Sequence, residues 1–419
     1  MNIFSTLEAQ CRRSLLILFV AGLVFWSSLA SMLPTLAPYI EDLGGSKQEV
    51  GIVMGSFAIG LLLSRPKLGY LADYNSRKLV LIIGTSVAAI APLGYLVVHS
   101  IPLLIALRIF HGVSIAAFTT GFMALVTDLS PVDKRGELIG YMSLTTPIGM
   151  AVGPALGGFL QAKAGYTPLF LVAGGLGLLA TICAIQVKEA QRVQVLHEER
   201  SQSSLKAMGQ LLVSPRLRIP TLVLLLTGFG FGAVTIFIAL FIRSTGVDLN
   251  PGWFFTAAAI ASFMGRLVTG RASDRYGRGL FITGSLIIYG VSMLMISQAK
   301  SPQVFLLAGF LEGAGSGILL PMLITLISDR SLPNERGQVF AISISGLDLG
   351  IAIAGPILGS FFDQLGYSGS FLLGAIMMLI AAVIFVTQSS KDLSHSWRFA
   401  TGRERDLYAV DIKVYDKSR

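Results

Sequence analysis

Long apolar runs broken by short polar junctions set the pattern of this chain. Ser14 to Leu33, Val80 to Val98 and Phe371 to Thr387 contain no charged residue. Runs of roughly 17–25 such residues read as membrane-spanning helices. They lack the alternation of apolar and polar positions that a membrane barrel requires, so helices remain the way to satisfy every backbone group in lipid. About twelve spans are predicted, over 12–36, 48–72, 77–98, 102–127, 137–161, 166–187, 217–243, 251–274, 279–298, 303–328, 337–362 and 367–388. The first run is too long for a signal peptide and another span follows it without a soluble domain between, so it reads as a retained helix.

Composition agrees with the pattern. Of 419 residues, 53% are hydrophobic and 13% charged, against about 25% charged in soluble globular domains. The net charge of +9 would suit nucleic acid, but the positions of the charges argue otherwise. With the N-terminus in the cytoplasm, only Lys47, Lys163, Arg243 and Lys300 of the 32 basic residues fall outside, and Arg108 lies within a span. All others collect on the inner side. That bias predicts a multi-pass cell-membrane protein with both termini cytoplasmic, and nucleic acid is not needed as a partner. Two cysteines, Cys11 and Cys183, and four scattered histidines offer no metal-ligand spacing.

The polar junctions repeat. Gly69 and Asp73, in GYLADYNSRK, return as Gly270 and Asp274, in GRASDRYGR, at an offset of 201 positions. The same offset joins Arg65 to Arg266, Gly112 to Gly313, Asp128 to Asp329, Arg135-Gly136 to Arg336-Gly337, and Gly165-Tyr166 to Gly366-Tyr367. One offset linking so many polar and glycine positions implies two homologous six-helix halves. The halves are placed at 1–187 and 219–390, with a charged cytoplasmic linker at 188–218 and a polar, basic tail at 391–419. Paired halves of this kind suit alternating access, in which one half rocks against the other around a midplane site.

Up to the tail, the chain resembles the major facilitator superfamily, which implies an all-α membrane fold of twelve transmembrane helices in two pseudo-symmetric six-helix halves. The first junction is similar to that family's loop motif through Gly69, Leu71, Ala72, Asp73, Arg77 and Lys78, with Tyr74 and Ser76 departing from it. The second keeps Asp274, Arg275, Gly277 and Arg278 and is the better match. A carboxylate at the inner end of a span can accept bonds from a helix N-terminus or an arginine. Asp73 and Asp274 are therefore expected to latch the cytoplasmic side, and Gly69 and Gly270 to let a neighbouring helix approach closely. The alternative is that these are ordinary positive-inside loop charges.

Within the spans stand Arg108, Glu312 and Asp348, with His111 as a titratable companion. Each charge at membrane depth costs roughly 2.5–3.5 kcal/mol on insertion scales, which makes such residues functional candidates. Glu312 and Asp348 can take up and release a proton, whereas arginine keeps its own. Arg108, in LIALRIFHG, also resembles the family's fourth-helix motif, although His111 stands where glutamine is common; in related exporters that arginine is linked to proton movement. The alternatives are a structural ion pair for Arg108, a helix-packing hydrogen bond for Glu312, backbone bonding for Asp348, and a satisfied polar residue for His111.

The fifth span carries Gly149, Gly153, Pro154, Gly157 and Gly158, which matches each defining position of the family's antiporter motif. Small residues permit close helix contact, and a proline removes a backbone donor and favours a bend. Gly350, Gly355, Pro356 and Gly359 form a looser copy. Trp26, Phe229, Phe231, Phe237 and Phe241 are candidate cavity aromatics suited to amphipathic solutes, or else ordinary core and lipid-facing residues. No phosphate-binding loop of the Gly-x-x-x-x-Gly-Lys-Ser/Thr type occurs, so no nucleotide or other cofactor is expected. The expectation is a monomeric secondary transporter, not an enzyme, that exports small amphipathic molecules against protons. The alternatives are an uptake symporter or facilitator for a nutrient or metabolite, and, further off, a lipid flippase or a membrane sensor.

Overall fold

The computed structural model describes residues 7–131, 134–189, 213–332 and 336–410, apart from the side chains of 267, 268, 270, 271, 274, 336–338 and 341. Most of the linker and the last residues of the tail lie outside this range. Among the described residues the chain is helical, with no strand. The first six predicted spans appear as α1 (Ala9–Ser31) with the short α2 (Leu36–Asp42), α3 (Lys47–Tyr74), α4 (Arg77–Gly94), α5 (Ile101–Leu129), the pair α6 (Arg135–Ser143) and α7 (Thr145–Ala164), and α8 (Tyr166–Gln186). The second six are α9 (Arg218–Ser244), α10 (Pro251–Tyr276), α11 (Arg278–Ser297), α12 (Pro302–Asp329), α13 (Arg336–Ser360) and α14 (Phe362–Gln388). A further helix, α15 (Leu393–Ala400), was not expected from the sequence.

Ten of the described helical stretches are long and apolar enough to cross a membrane. The other two predicted spans are helical but less apolar. The eighth, α10, carries Arg266, Arg271, Asp274 and Arg275, and the fifth is rich in glycine, threonine and proline. Its division at Leu144 follows from Pro147, which has no N–H to bond the Ser143 carbonyl. The first span divides for a similar reason, with Pro34 in the turn between α1 and α2.

Local chemistry sets several ends. Ser46 and Glu49 form a capping box at the start of α3, and the Ser76 hydroxyl caps α4 by accepting from the Leu79 N–H at 3.0 Å. Gly165 and Gly366, one repeat offset apart, turn the chain at φ of +83° and +59°, values that side-chain-bearing residues rarely adopt.

The chain packs as two compact units, residues 1–194 with 235–259 and 355–362, and residues 195–234 with 260–354 and 363–419. In the first, α5 packs on α3 and α4, and α1 on α7 and α8. Its core holds Leu15, Leu18, Phe25, Leu81, Phe118 and Met142. In the second, α11 packs on α12 and also receives α15. The end of α9, the start of α10 and the end of α13 belong to the first unit although the sequence repeat assigns them to the second half.

Candidate functional site

The reason for that assignment lies at the helix ends opposite the termini. Gly51 of α3 and Gly355 of α13 meet backbone to backbone, and a Cβ on either would overlap the other's carbonyl. Moved by the offset of 201, these positions become Gly252 and Pro154. Those two meet as well: a Cβ on Gly252 of α10 would overlap the Pro154 carbonyl of α7. Each half therefore lends one helix to the other by the same contact. The Thr256 hydroxyl adds a bond to the Ala151 carbonyl at 3.0 Å, in the turn preceding Pro154. Gly158 abuts Asn250, and Gly359 abuts Gln48, whose amide donates to Ser360 Oγ at 3.3 Å.

An ion pair lies over this junction. Arg243 Nη1 stands 2.6 Å from Asp42 Oδ1, two residues that are themselves 201 apart, so equivalent positions of the two halves pair with each other. Tyr166 donates to the other Asp42 oxygen at 2.7 Å. The remaining glycines of the fifth span serve a contact within the first half. Gly149, Gly153 and Gly157 lie against α1 at Trp26-Ser27, Ala30 and Ser31, too close for a Cβ without displacement. Helix α7 runs unbroken through Pro154; the break in this span is the one at Leu144.

At the opposite ends, the two loop motifs are built alike. Arg77 forms an ion pair with Asp128 and donates to the Ala124 carbonyl at 3.0 Å. Arg278 pairs with Asp329 at 2.6 Å, the same contact one offset later. Ser76 Oγ and the Arg77 N–H donate to the two oxygens of Glu189 at 2.6 and 2.9 Å, fastening the end of the first half to the loop. Asp73 is exposed at the end of α3, Lys78 is half-buried, and Arg275 lies 5.3 Å over the Tyr276 ring. No atom comes near a Cβ built on Gly69, so the expected close helix approach is not made there in this conformation. Gly270 and the Asp274 side chain lie outside the described residues.

The ionisable residues inside the spans are buried. Arg108, 9% exposed, pairs with no carboxylate among the described residues. Its guanidinium sits 4.5 Å from the Phe57 ring centroid, a contact worth about 2 kcal/mol when desolvated. Tyr95 lies within reach of Arg108, and its hydroxyl is 3.2 Å from His111 Nδ1. His111 Nε2 and Arg108 Nε have no hydrogen-bond partner among the described residues. In the second half Glu312, 5% exposed, neighbours Ser316 on its own helix and the fully buried Tyr289 of α11. Among the described residues neither the Tyr289 hydroxyl nor Glu312 Oε1 has a hydrogen-bond partner of good geometry. Both halves thus set a titratable residue of the fourth or tenth span beside a tyrosine that follows or belongs to the third or ninth. Asp348 is buried in α13, between glycines that bring this helix onto α9: Gly346 meets the Thr221 carbonyl and Gly350 meets Leu225.

The aromatic candidates make the following contacts. Trp26 meets Phe25 and Phe118 edge-on at 5.5 and 6.2 Å and covers Gly149. Phe237 is fully buried and stacks on Phe362 at 5.9 Å, Phe229 and Phe241 are buried, and Phe231 is half-buried.

Repeat, glycine junction and buried charges together call for comparison with known carriers. The sequence matches the family model of the Major Facilitator Superfamily over residues 15–268 and 248–406. The chain belongs to that superfamily. Among curated members, the multi-drug resistance efflux pump PmrA of Streptococcus pneumoniae is 27% identical over 394 residues, covering 91% of this chain and 97% of the pump. The quinolone resistance protein NorA of Staphylococcus aureus is 24% identical over 362 residues, covering 84% and 90%. Among solved structures the nucleoside transporter NupG superposes with a TM-score of 0.77 at 14% identity, over 89% of this chain and 99% of that one, which is a likeness of fold.

Several residues of this superfamily member that matter to the geometry escaped the reading of its sequence. Gly51 and Gly252 are unremarkable among 46 glycines until the offset is applied to the partners they touch. Asp128 and Asp329 had been noticed as a repeat pair, and the signal that they hold Arg77 and Arg278 was there in the shared offset. Asp42 and Arg243 could have been found the same way. Tyr95, Tyr289 and Ser316 carry no sequence signal for their place beside His111 and Glu312.

Proposed function

We propose that this chain is a secondary active transporter that exports small amphipathic molecules from the cell in exchange for protons. The names of PmrA and NorA support export and the drug-like substrate class. One observation carries the alternating-access mechanism: the paired contacts Gly51–Gly355 and Gly252–Pro154 close the helix ends opposite the termini. With both termini cytoplasmic, as the basic residues favour, the closed face is the extracellular one. Rocking of the halves would part these contacts together with Asp42–Arg243, while the cytoplasmic loops closed through Asp73 and Asp274. One chain suffices as the working unit, and substrate, protons and lipid are its partners.

Glu312 is the proton carrier in this reading. It is a buried carboxyl with one oxygen unpartnered and a tyrosine beside it that can bond either protonation state. His111 holds the corresponding position in the first half, with Arg108, which has no carboxylate partner among the described residues, one turn before it. The test is Glu312→Gln in proteoliposomes with an imposed pH gradient. The variant should bind substrate and exchange it, with pH-driven accumulation lost. Uphill transport at the wild-type level would overturn the assignment. Loss in Asp348→Asn alone would move the proton site to α13.

A further inference from the structure

The last described stretch, Lys391 to Val410, has no place in the transport mechanism, yet it is built onto the second unit by specific contacts. Their centre is Arg330, fully buried just beyond α12. It makes a bidentate pair with Asp406 at 2.7 and 2.9 Å. It also donates to the Ser389 carbonyl at 2.7 Å and to the Arg216 carbonyl at 2.9 Å. The rings of Phe399 and Tyr408 flank its guanidinium at 5.7 and 5.1 Å. Helix α15 turns Ser396, Phe399 and Ala400 inward, where Phe399 lies 5.9 Å from Phe385 of α14 and its carbonyl meets Gly279 at the start of α11.

The outward side of the same helix is of another kind. Leu393 and Trp397, one helical turn apart, are 63% and 54% exposed. Lys391, Arg398, Arg403 and Arg405 are exposed around them. Of the acidic residues of the stretch, Asp406 and Glu404 are turned to protein groups, while Asp392 is exposed and caps the helix. Asp392 accepts from the His395 N–H at 2.9 Å, a bond that holds its carboxyl below the usual range. Glu404 faces His395 at 3.8 Å, and Asp406 is taken by Arg330. What faces outward is therefore a leucine and a tryptophan among four basic residues, with Asp392 the one exposed acid of the described stretch. The helix stands where α14 ends and α11 begins, two helices long and apolar enough to cross a membrane.

We infer that α15 and the basic residues around it form a docking surface for an anionic lipid bilayer, with Leu393 and Trp397 entering the interface and Lys391, Arg398, Arg403 and Arg405 meeting lipid phosphates. Charge complementarity selects this occupant. A helix with a leucine–tryptophan face and basic flanks lies in the headgroup boundary, and its attraction to negative lipid falls off within a Debye length. Tryptophan is suited to that depth because its ring is apolar and its N–H polar. The anchored tail would hold the inner ends of α11, α12 and α14 at a fixed height through Arg330.

The experiment uses the full chain in vesicles of phosphatidylcholine with or without phosphatidylglycerol, the bromine-labelled lipid being either one or the other. Bromine quenches tryptophan emission on contact. The quenching attributable to Trp397 is the difference between wild type and Trp397→Phe, since Trp26 and Trp253 are common to both. That difference should be about twofold or more greater with brominated phosphatidylglycerol than with brominated phosphatidylcholine. The combined substitution Lys391→Gln, Arg398→Gln, Arg403→Gln and Arg405→Gln should abolish the preference. Equal quenching of wild type and Trp397→Phe would overturn the proposal. So would equal quenching by the two lipids, or a preference that survives the four glutamines.

Discussion

Replacing Gly51 by alanine would act on one conformation of this transporter and spare the other. The added methyl would overlap the Gly355 carbonyl where α3 and α13 touch, and both partners are backbone, with no flexible side chain to yield. Overpacking of this sort costs about 1–3 kcal/mol. Alanine also raises helix propensity by about 0.8–1.0 kcal/mol, but α3 is helical in both conformations, so that gain cancels between them. The overlap is borne only while the contact is closed. At 1.4 kcal/mol per tenfold change, the balance should shift away from closure by about 5- to 150-fold. Gly252→Ala, meeting the Pro154 carbonyl at the equivalent contact, should shift it the same way. Gly69→Ala is the control on the same helix, because its Cβ meets nothing. Spin labels at the exposed positions Lys163 and Lys300, with Cys11 and Cys183 replaced by alanine, would report the separation of those helix ends. A longer-distance population should grow in Gly51→Ala and Gly252→Ala and stay at the wild-type level in Gly69→Ala. Identical distributions in Gly51→Ala and Gly69→Ala would refute the role assigned to the glycine contact.

Two further predictions concern the ends near the termini. Asp274→Asn should impair transport while expression and membrane insertion persist, since this loop keeps the fuller motif beside the Arg278–Asp329 pair; a well-inserted variant transporting at the normal rate would remove the latch. Arg330→Ala strands Asp406, which is nearly buried, and should lower stability by about 3–5 kcal/mol. Replacing both partners with apolar residues should restore much of that, read as the unfolding temperature in detergent; a double variant as unstable as Arg330→Ala would contradict the buried-pair account.

Much of this protein is written locally. Uncharged runs of span length, proline and glycine at the breaks, and serine caps are properties of neighbouring residues, and they place the helices at or near their observed bounds. The offset of 201 is likewise a property of the string, and with the sorting of basic residues it is enough to argue two halves in a membrane. Which glycine is a contact and which is merely permitted is not local. Gly51 and Gly69 lie on one helix, yet one meets a carbonyl some three hundred residues away and the other meets nothing. The aromatic character of Trp26 is visible in the sequence, and the Phe118 ring that it meets edge-on is not. The sequence gives no sign of what holds the polar tail, because the buried arginine that pairs with it stands before two intervening spans. A hydrophobic period decides what a segment becomes, since it depends on which residues share one face of one helix. Backbone approach and charge pairing depend on which faces of distant helices are brought together, and that is decided only when the chain packs.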